Sequence, residues 1–190
     1  ELLDRLADDA RSVPAGTLRA CLAAMAGLPP ESVRPPERVR VSPDLVLLHD
    51  DVVVVDEPHH LQLAWEHPPL VLPLAWAGAL ADVLDVARSS ELVEARVDGG
   101  AVRDVPAVVG QVLDGVVPGT WREHDALTVG GRDVSWWVTE DGGVHASTVE
   151  GLARGLAWAA GRWDARLLVA AVLAEPDRVD ELLAEGALQD

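Results

Sequence analysis

Trp121–Trp163 reads WREHDALTVGGRDVSWWVTEDGGVHASTVEGLARGLAWAAGRW. Two strand-like runs flank Gly130-Gly131, a pair that supplies the positive φ angles of a tight hairpin turn. The second run, Arg132 to Thr139, alternates. Val134, Trp136 and Val138 fall on one face, and Asp133, Ser135 and Trp137 on the other. One of the two tryptophans is therefore expected in the core, with its neighbour nearer solvent or under a covering helix. Asp141-Gly142-Gly143 turns the chain into a further strand, Val144–Ala146. Ser147-Thr148-Val149-Glu150 matches a capping box, with Ser147 at N-cap and Glu150 at N3. The helix beyond carries Val149, Leu152, Leu156, Ala159 and Trp163. Gly151 and Gly155, four apart on it, predict close contact with a strand or a second helix.

Two more helices follow. Asp164 caps one bearing Leu167, Leu168, Ala171 and Val172; Pro176 opens the other, which bears Val179, Leu182 and Leu183 and closes at Gly186. Upstream, residues 1–27 predict a helical pair. Leu2, Leu3, Leu6 and Ala10 mark the first helix; Leu18, Leu22 and Met25, between Pro14 and Gly27, mark the second. Pro29, Pro30, Pro35 and Pro36 interrupt any regular element. The runs 45–48 and 52–55 predict a buried hairpin or two strands of one sheet. A short turn is expected in 58–66, an edge strand over 70–74, a helix over 77–86, and a hairpin joining 92–97 to 101–103 through Asp98-Gly99-Gly100. Residues 105–113 predict a short helix. Strands followed by a run of helices give an α+β fold. The expected organisation is a helical segment at 1–28, closing a preceding region, a proline-rich linker at 29–43, and an α+β domain at 44–190. That domain is expected to hold an antiparallel or mixed sheet with hairpins, followed by three C-terminal helices.

Composition narrows the function. The 190 residues include no Lys, Ile, Asn, Tyr or Phe, all types with AT-rich codons, which points to a bacterial genome of high GC content. A net charge of −17 opposes nonspecific nucleic-acid binding and attraction to anionic lipid. The single cysteine, Cys21, excludes an internal disulfide and reads as a buried, inert thiol. No run is apolar and long enough for a membrane span, no signal peptide opens the chain, and cytoplasmic location is the expectation. The first residue is Glu1 rather than Met, so the chain reads as a piece of a longer protein.

The chemistry-bearing residues form no complete motif. His59, His60 and His67 lie near Asp56, Glu57 and Glu66, but adjacent histidines diverge in most backbone conformations, so a solvated loop is expected and no metal. His145 reads as a hydrogen-bonded structural histidine. His124 should face away from Glu123 and Asp125. No nucleophile elbow, phosphate loop or dinucleotide fingerprint occurs, and no catalytic or cofactor-binding residue is assigned. Arg154, Trp158 and Arg162 recur every four residues and form a candidate aromatic–arginine interaction surface. Self-contained packing is the plainer reading of the same three.

EHDALTVGGRDVSWWV, followed by VHASTVEGLARGLAWAAGRW, resembles the C-terminal part of a bacterial group of large proteins similar to sacsin and the heat-shock chaperone ATPases. A weaker similarity extends to LADVLDVARSSELVEARV, residues 80–97. The resemblance implies a parent protein with an N-terminal GHKL-type ATP-binding domain, using ATP and Mg²⁺ in protein folding. It places no nucleotide here. That ATP site needs an Asn-bearing helix, a D-x-G-x-G turn and a glycine-rich lid, and this chain has no Asn. The reading is a non-catalytic C-terminal module whose partners are the upstream ATP-binding domain, protein clients or a second copy. The alternatives are a small free-standing enzyme using the His/Asp-rich segment 49–67, and a structurally inert acidic adaptor.

Overall fold

A computed structural model of the chain describes residues 5–8, 10–114 and 117–186. The fold is α+β, and it divides into two compact units, 1–94 and 95–190.

In the first unit, α1 (Ala15–Ala26) starts after Pro14 and stops at Gly27, burying Leu18, Leu22 and Met25. Most of the expected helix before it lies outside the described residues. β1 (Arg38–Ser42) and β2 (Leu45–Leu48) form an antiparallel hairpin. β3 (Val53–Val54) pairs in parallel with β4 (Ala87–Arg88). The runs 45–48 and 52–55 therefore do not pair with each other, because β1, unread in the sequence, takes the first as its partner. Leu70 contributes only an isolated parallel bridge to Val54. The expected edge strand over 70–74 is absent, since Pro73 instead opens α2 (Leu74–Leu84). Asp85, in the left-handed region at φ 56°, ends that helix. α3 (Ser89–Leu92) is a single turn.

The core of this unit joins Leu18, Leu22 and Met25 to Val39, Val54, Leu80 and Leu84. The expected boundary at 29–43 therefore falls inside one compact unit, because the apolar stripe of α1 has its burial partners beyond the prolines. Arg40 is 2% exposed. Its guanidinium donates to the carbonyl oxygens of Leu6 (2.8 Å), Pro43 (2.7 Å), Arg11 (2.7 Å) and Asp8, fastening the N-terminal segment to β1. Cys21 is half-buried against this core.

In the second unit, a mixed four-stranded sheet has the order β5 (Ala101–Asp104), β6 (Thr120–Glu123), β10 (Val144–Ala146), β9 (Trp136–Val138). β6 and β10 are parallel; the outer pairs are antiparallel. Residues 93–100 are neither helix nor strand, so Asp98-Gly99-Gly100 does not close the expected hairpin, and β5 pairs with β6 instead. α4 (Ala107–Val112) lies between them in sequence. β7 (Leu127–Val129) and β8 (Arg132–Val134) form the expected hairpin on Gly130 and Gly131, at φ 57° and 76°. The predicted strand 132–139 breaks at Ser135, with β8 serving the hairpin and β9 the larger sheet.

Three helices follow: α5 (Val149–Ala159), α6 (Arg166–Ala174) and α7 (Val179–Gly186). The cap of α5 is Thr148, not Ser147, and Val149 is 53% exposed rather than part of the buried stripe. A Cβ on Gly151 would lie 2.2 Å from the Ser135 carbonyl oxygen, and one on Gly155 2.7 Å from Val144 Cγ1. The two glycines thus let α5 lie directly on the strands. Trp136 and Trp137 are both buried, at 2% and 3% exposure, so neither lies nearer solvent. Trp136 stacks on Trp163 with ring centroids 5.7 Å apart, within a core that includes Val144, Leu152, Leu156 and Val169.

Candidate functional site

The densest group of chemistry-bearing side chains lies in the first unit, where the chain leaves β3. Pro58 presets the backbone of a 3₁₀ turn, Pro58–Gln62. Residues three apart eclipse in that geometry, which brings Glu57 over His60. Glu57 Oε2 is 3.4 Å from His60 Nε2 and 3.0 Å from His59 Nε2. The two imidazoles meet edge to face with centroids 4.5 Å apart. They are 1% and 3% exposed. The expectation of diverging histidines in a solvated loop is thus overturned. The tight turn and a shared carboxylate hold both rings on one side.

The partner strand supplies the rest. Pairing of Val54 with Arg88 sets Ser89, the next residue, beside Asp56. Ser89 Oγ donates to Asp56 Oδ1 at 2.7 Å and lies 2.8 Å from His60 Nδ1. The Ser90 amide donates to the same Asp56 oxygen at 3.0 Å, and the Ser90 hydroxyl to the other. Burial would raise the Asp56 carboxyl, but the bonds from Ser90 and Ser89 outweigh it and hold the group below its ordinary range. The Glu57 carboxyl is lowered by the hydrogen bond from His59, against burial. Burial, then the neighbouring His59, pushes His60 down to about 4, against the carboxylates of Glu57 and Asp56. His60 is therefore a neutral imidazole at neutral pH.

Asp56, Ser89 and His60 have the composition of a hydrolytic triad without its polarity. A nucleophilic serine passes its proton to histidine. Here the single hydroxyl proton goes to the carboxylate, His60 Nδ1–H donates to Ser89 Oγ, and Ser89 is 0% exposed. No substrate carbonyl reaches that oxygen.

The second unit carries a histidine pair. Parallel pairing of β6 with β10 brings His124 Nε2 within 2.9 Å of His145 Nδ1. His145 is 4% exposed, a hydrogen-bonded structural histidine as read from the sequence. Burial first, then His124 and Arg122, lowers its basicity; Asp141 and Asp98 oppose them. Glu123 turns away to pair with Arg103 at 2.7 Å. A Cβ on Gly100, at φ 82°, would lie 2.5 Å from His124 Nε2, so this position needs glycine both for its backbone and for the ring beside it.

The candidate surface Arg154, Trp158 and Arg162 does not form one helix face. α5 ends at Ala159, and Gly161, at φ 68°, reverses the chain. The Gly161 amide returns to Trp158 O at 2.9 Å and the Arg162 amide to Ala157 O at 2.8 Å, a Schellman stop. Arg162 lies beyond it, paired with Asp114 (2.6 Å) and Asp164 (3.2 Å). Trp158 is half-buried, edge-on to Trp163 at 6.2 Å. Arg154 is exposed. In the first unit Arg19 lies over the Trp76 ring at 5.9 Å, and in this unit Arg166 lies over the Trp163 ring at 4.9 Å. The sequence reading missed that pair, although Trp163 and Arg166 stand three apart.

No family model, curated protein or solved structure matches the chain. Among the described residues, no helix is long and apolar enough to cross a membrane.

Proposed function

We propose that the chain is a non-catalytic interaction module of a larger, sacsin-like ATP-binding protein of the cytoplasm, whose parent works in protein folding with ATP and Mg²⁺. One observation carries this reading. The assembled acid–base groups His59, His60, Ser89 and His145 are at most 4% exposed; the first three engage one another or the carboxylates of Glu57 and Asp56, and His145 engages His124. Such groups hold a fold together and meet no substrate. The same burial argues against a free-standing enzyme built on 49–67. The outward groups are of a different kind. α5 exposes Glu150 and Arg154, four residues apart, beside the half-buried Trp158, a row suited to a protein partner, which we take to be the upstream ATP-binding domain. The charge of −17 favours a protein partner over nucleic acid or an anionic membrane.

The complete reading frame, together with a calorimetric titration of its product, tests this. The frame should encode a GHKL-type domain upstream. The 190-residue chain by itself should show no saturable binding at micromolar ATP-Mg. A frame holding this chain alone, or saturable nucleotide binding to it, would overturn the proposal.

A further inference from the structure

We infer that Glu57, His59 and His60 form a binding site for one divalent transition-metal ion of the zinc class. One donor atom from each residue lies within 4.8 Å of the others. A tetrahedral ion with bonds of about 2.0–2.1 Å holds its ligand atoms about 3.3 Å apart. The two edges from Glu57 Oε2 to the histidine Nε2 atoms measure 3.0 and 3.4 Å, close to that spacing before any ion is placed, and at His59 the ion displaces the proton that Nε2 donates to Glu57.

The hydrogen bonds around His60 fit a ligating imidazole. Ser89 gives its one proton to Asp56, so His60 donates from Nδ1 and its neutral ring carries the lone pair on Nε2. That nitrogen lies 3.4 Å from Glu57 Oε2, a spacing at which one ion bonds to both atoms. The Asp56–Ser89–His60 chain then plays the part that outer carboxylates play at metal sites, fixing the tautomer and orientation of a ligating imidazole.

The donor set selects the ion. Two imidazoles and one carboxylate suit zinc and its neighbours rather than Mg²⁺ or Ca²⁺, which want oxygen. Three ligands from one tight turn leave a fourth position to the second Glu57 oxygen or a water. Glu57 is the half-exposed member, so the ion enters past its carboxylate. With both histidines buried, the site is structural: it ties the 58–62 turn to the β3–β4 pair through Ser89. It is independent of the interaction reading above, since neither α5 nor any parent protein enters the argument.

The test uses the whole chain, without a polyhistidine tag, stripped of metal by chelation. Zn²⁺ is titrated in competition with a chromophoric chelator, and the zinc-loaded protein is studied by X-ray absorption. We expect one tightly held equivalent, a fine structure containing two imidazoles, and an unfolding temperature that rises with added Zn²⁺. Glu57→Gln should weaken zinc binding at least about tenfold with an unchanged circular dichroism spectrum. His49→Gln with His67→Gln should leave binding as it was. The absence of a bound equivalent, a fine structure with fewer than two imidazoles, or full affinity in Glu57→Gln overturns the site. So does loss of binding in the His49/His67 variant, which would place the ion elsewhere. Should Glu57→Gln fail to fold, the absorption spectrum of the unaltered protein decides alone.

Discussion

Thr148 Oγ1 accepts the Gly151 amide at 2.9 Å, whereas the Ser147 hydroxyl reaches only the Val134 and Ser135 carbonyls, at 3.3 and 3.4 Å. Both residues are good cap formers, and the Ser147–Glu150 spacing favours the first. The sheet decides otherwise. The Ser147 amide donates to Ser135 O at 3.0 Å, which continues the β9–β10 ladder by one residue and postpones the helix. Thr148→Ala should therefore destabilise the protein by about 0.5–2 kcal/mol, and Ser147→Ala by clearly less. Urea unfolding of the two variants checks this; equal losses would mean that the cap is shared. Arg40 shows the opposite limit of legibility. Nothing in the pattern Arg38–Ser42 distinguishes it from Arg38, yet Arg40 alone is buried and bonded to four carbonyls drawn from residues 6 to 43.

Contact between elements in the second unit depends on what glycine lacks. Alanine is the better helix former by about 1 kcal/mol, so Gly→Ala in a helix is ordinarily favourable. At Gly151 the new Cβ meets a backbone oxygen at 2.2 Å, which no side-chain rotation relieves. Gly151→Ala should therefore cost about 1–3 kcal/mol by forcing α5 off the strands. Gly16, in α1, has nothing within 4 Å of its would-be Cβ, and Gly16→Ala should stabilise by about 0.4–1 kcal/mol. Differential scanning calorimetry of the pair checks the contrast; stabilisation in both would show that α5 does not lie where described. Period-two alternation does assign Trp136 and Trp137 to opposite faces, but it carries no information on whether the second face is covered.

For the molecule as a whole, acid should act through its buried histidines. His145 titrates below its ordinary value of 6.5 because burial, then His124 and Arg122, disfavours its charged form. The unfolded chain therefore binds a proton that the folded one refuses. Stability from this group is complete above 6.5 and is lost as pH falls from there toward the lowered folded value. His60, held at about 4, acts with the same sign. The urea midpoint of the unaltered protein should fall between about pH 7.5 and about pH 5, and that of His145→Gln should fall less. Parallel declines in the two would show that His145 does not titrate with folding.

What the sequence determined by itself is local. Gly130-Gly131 demanded positive φ and yielded the hairpin; Pro14 opened α1 and Gly27 closed it. The order of strands then helices yielded the α+β class, and the three C-terminal helices followed from their apolar spacing. Each of these depends on forces within a few residues along the chain: φ preference, capping and periodic burial. The tertiary structure decided everything that needs a distant partner. β1 captured β2 and so left β3 for β4, with paired residues 34 apart, a pairing the short runs of valine and leucine could not specify. That pairing set Ser89 beside Asp56 and fixed His60 in the tautomer that faces Glu57. Adjacent histidines were read as divergent because a strand or an open loop sends neighbours apart. Their convergence required a 3₁₀ turn, a carboxylate between them and a hydroxyl from another element; the turn and Glu57 are local in sequence, and Ser89 is not.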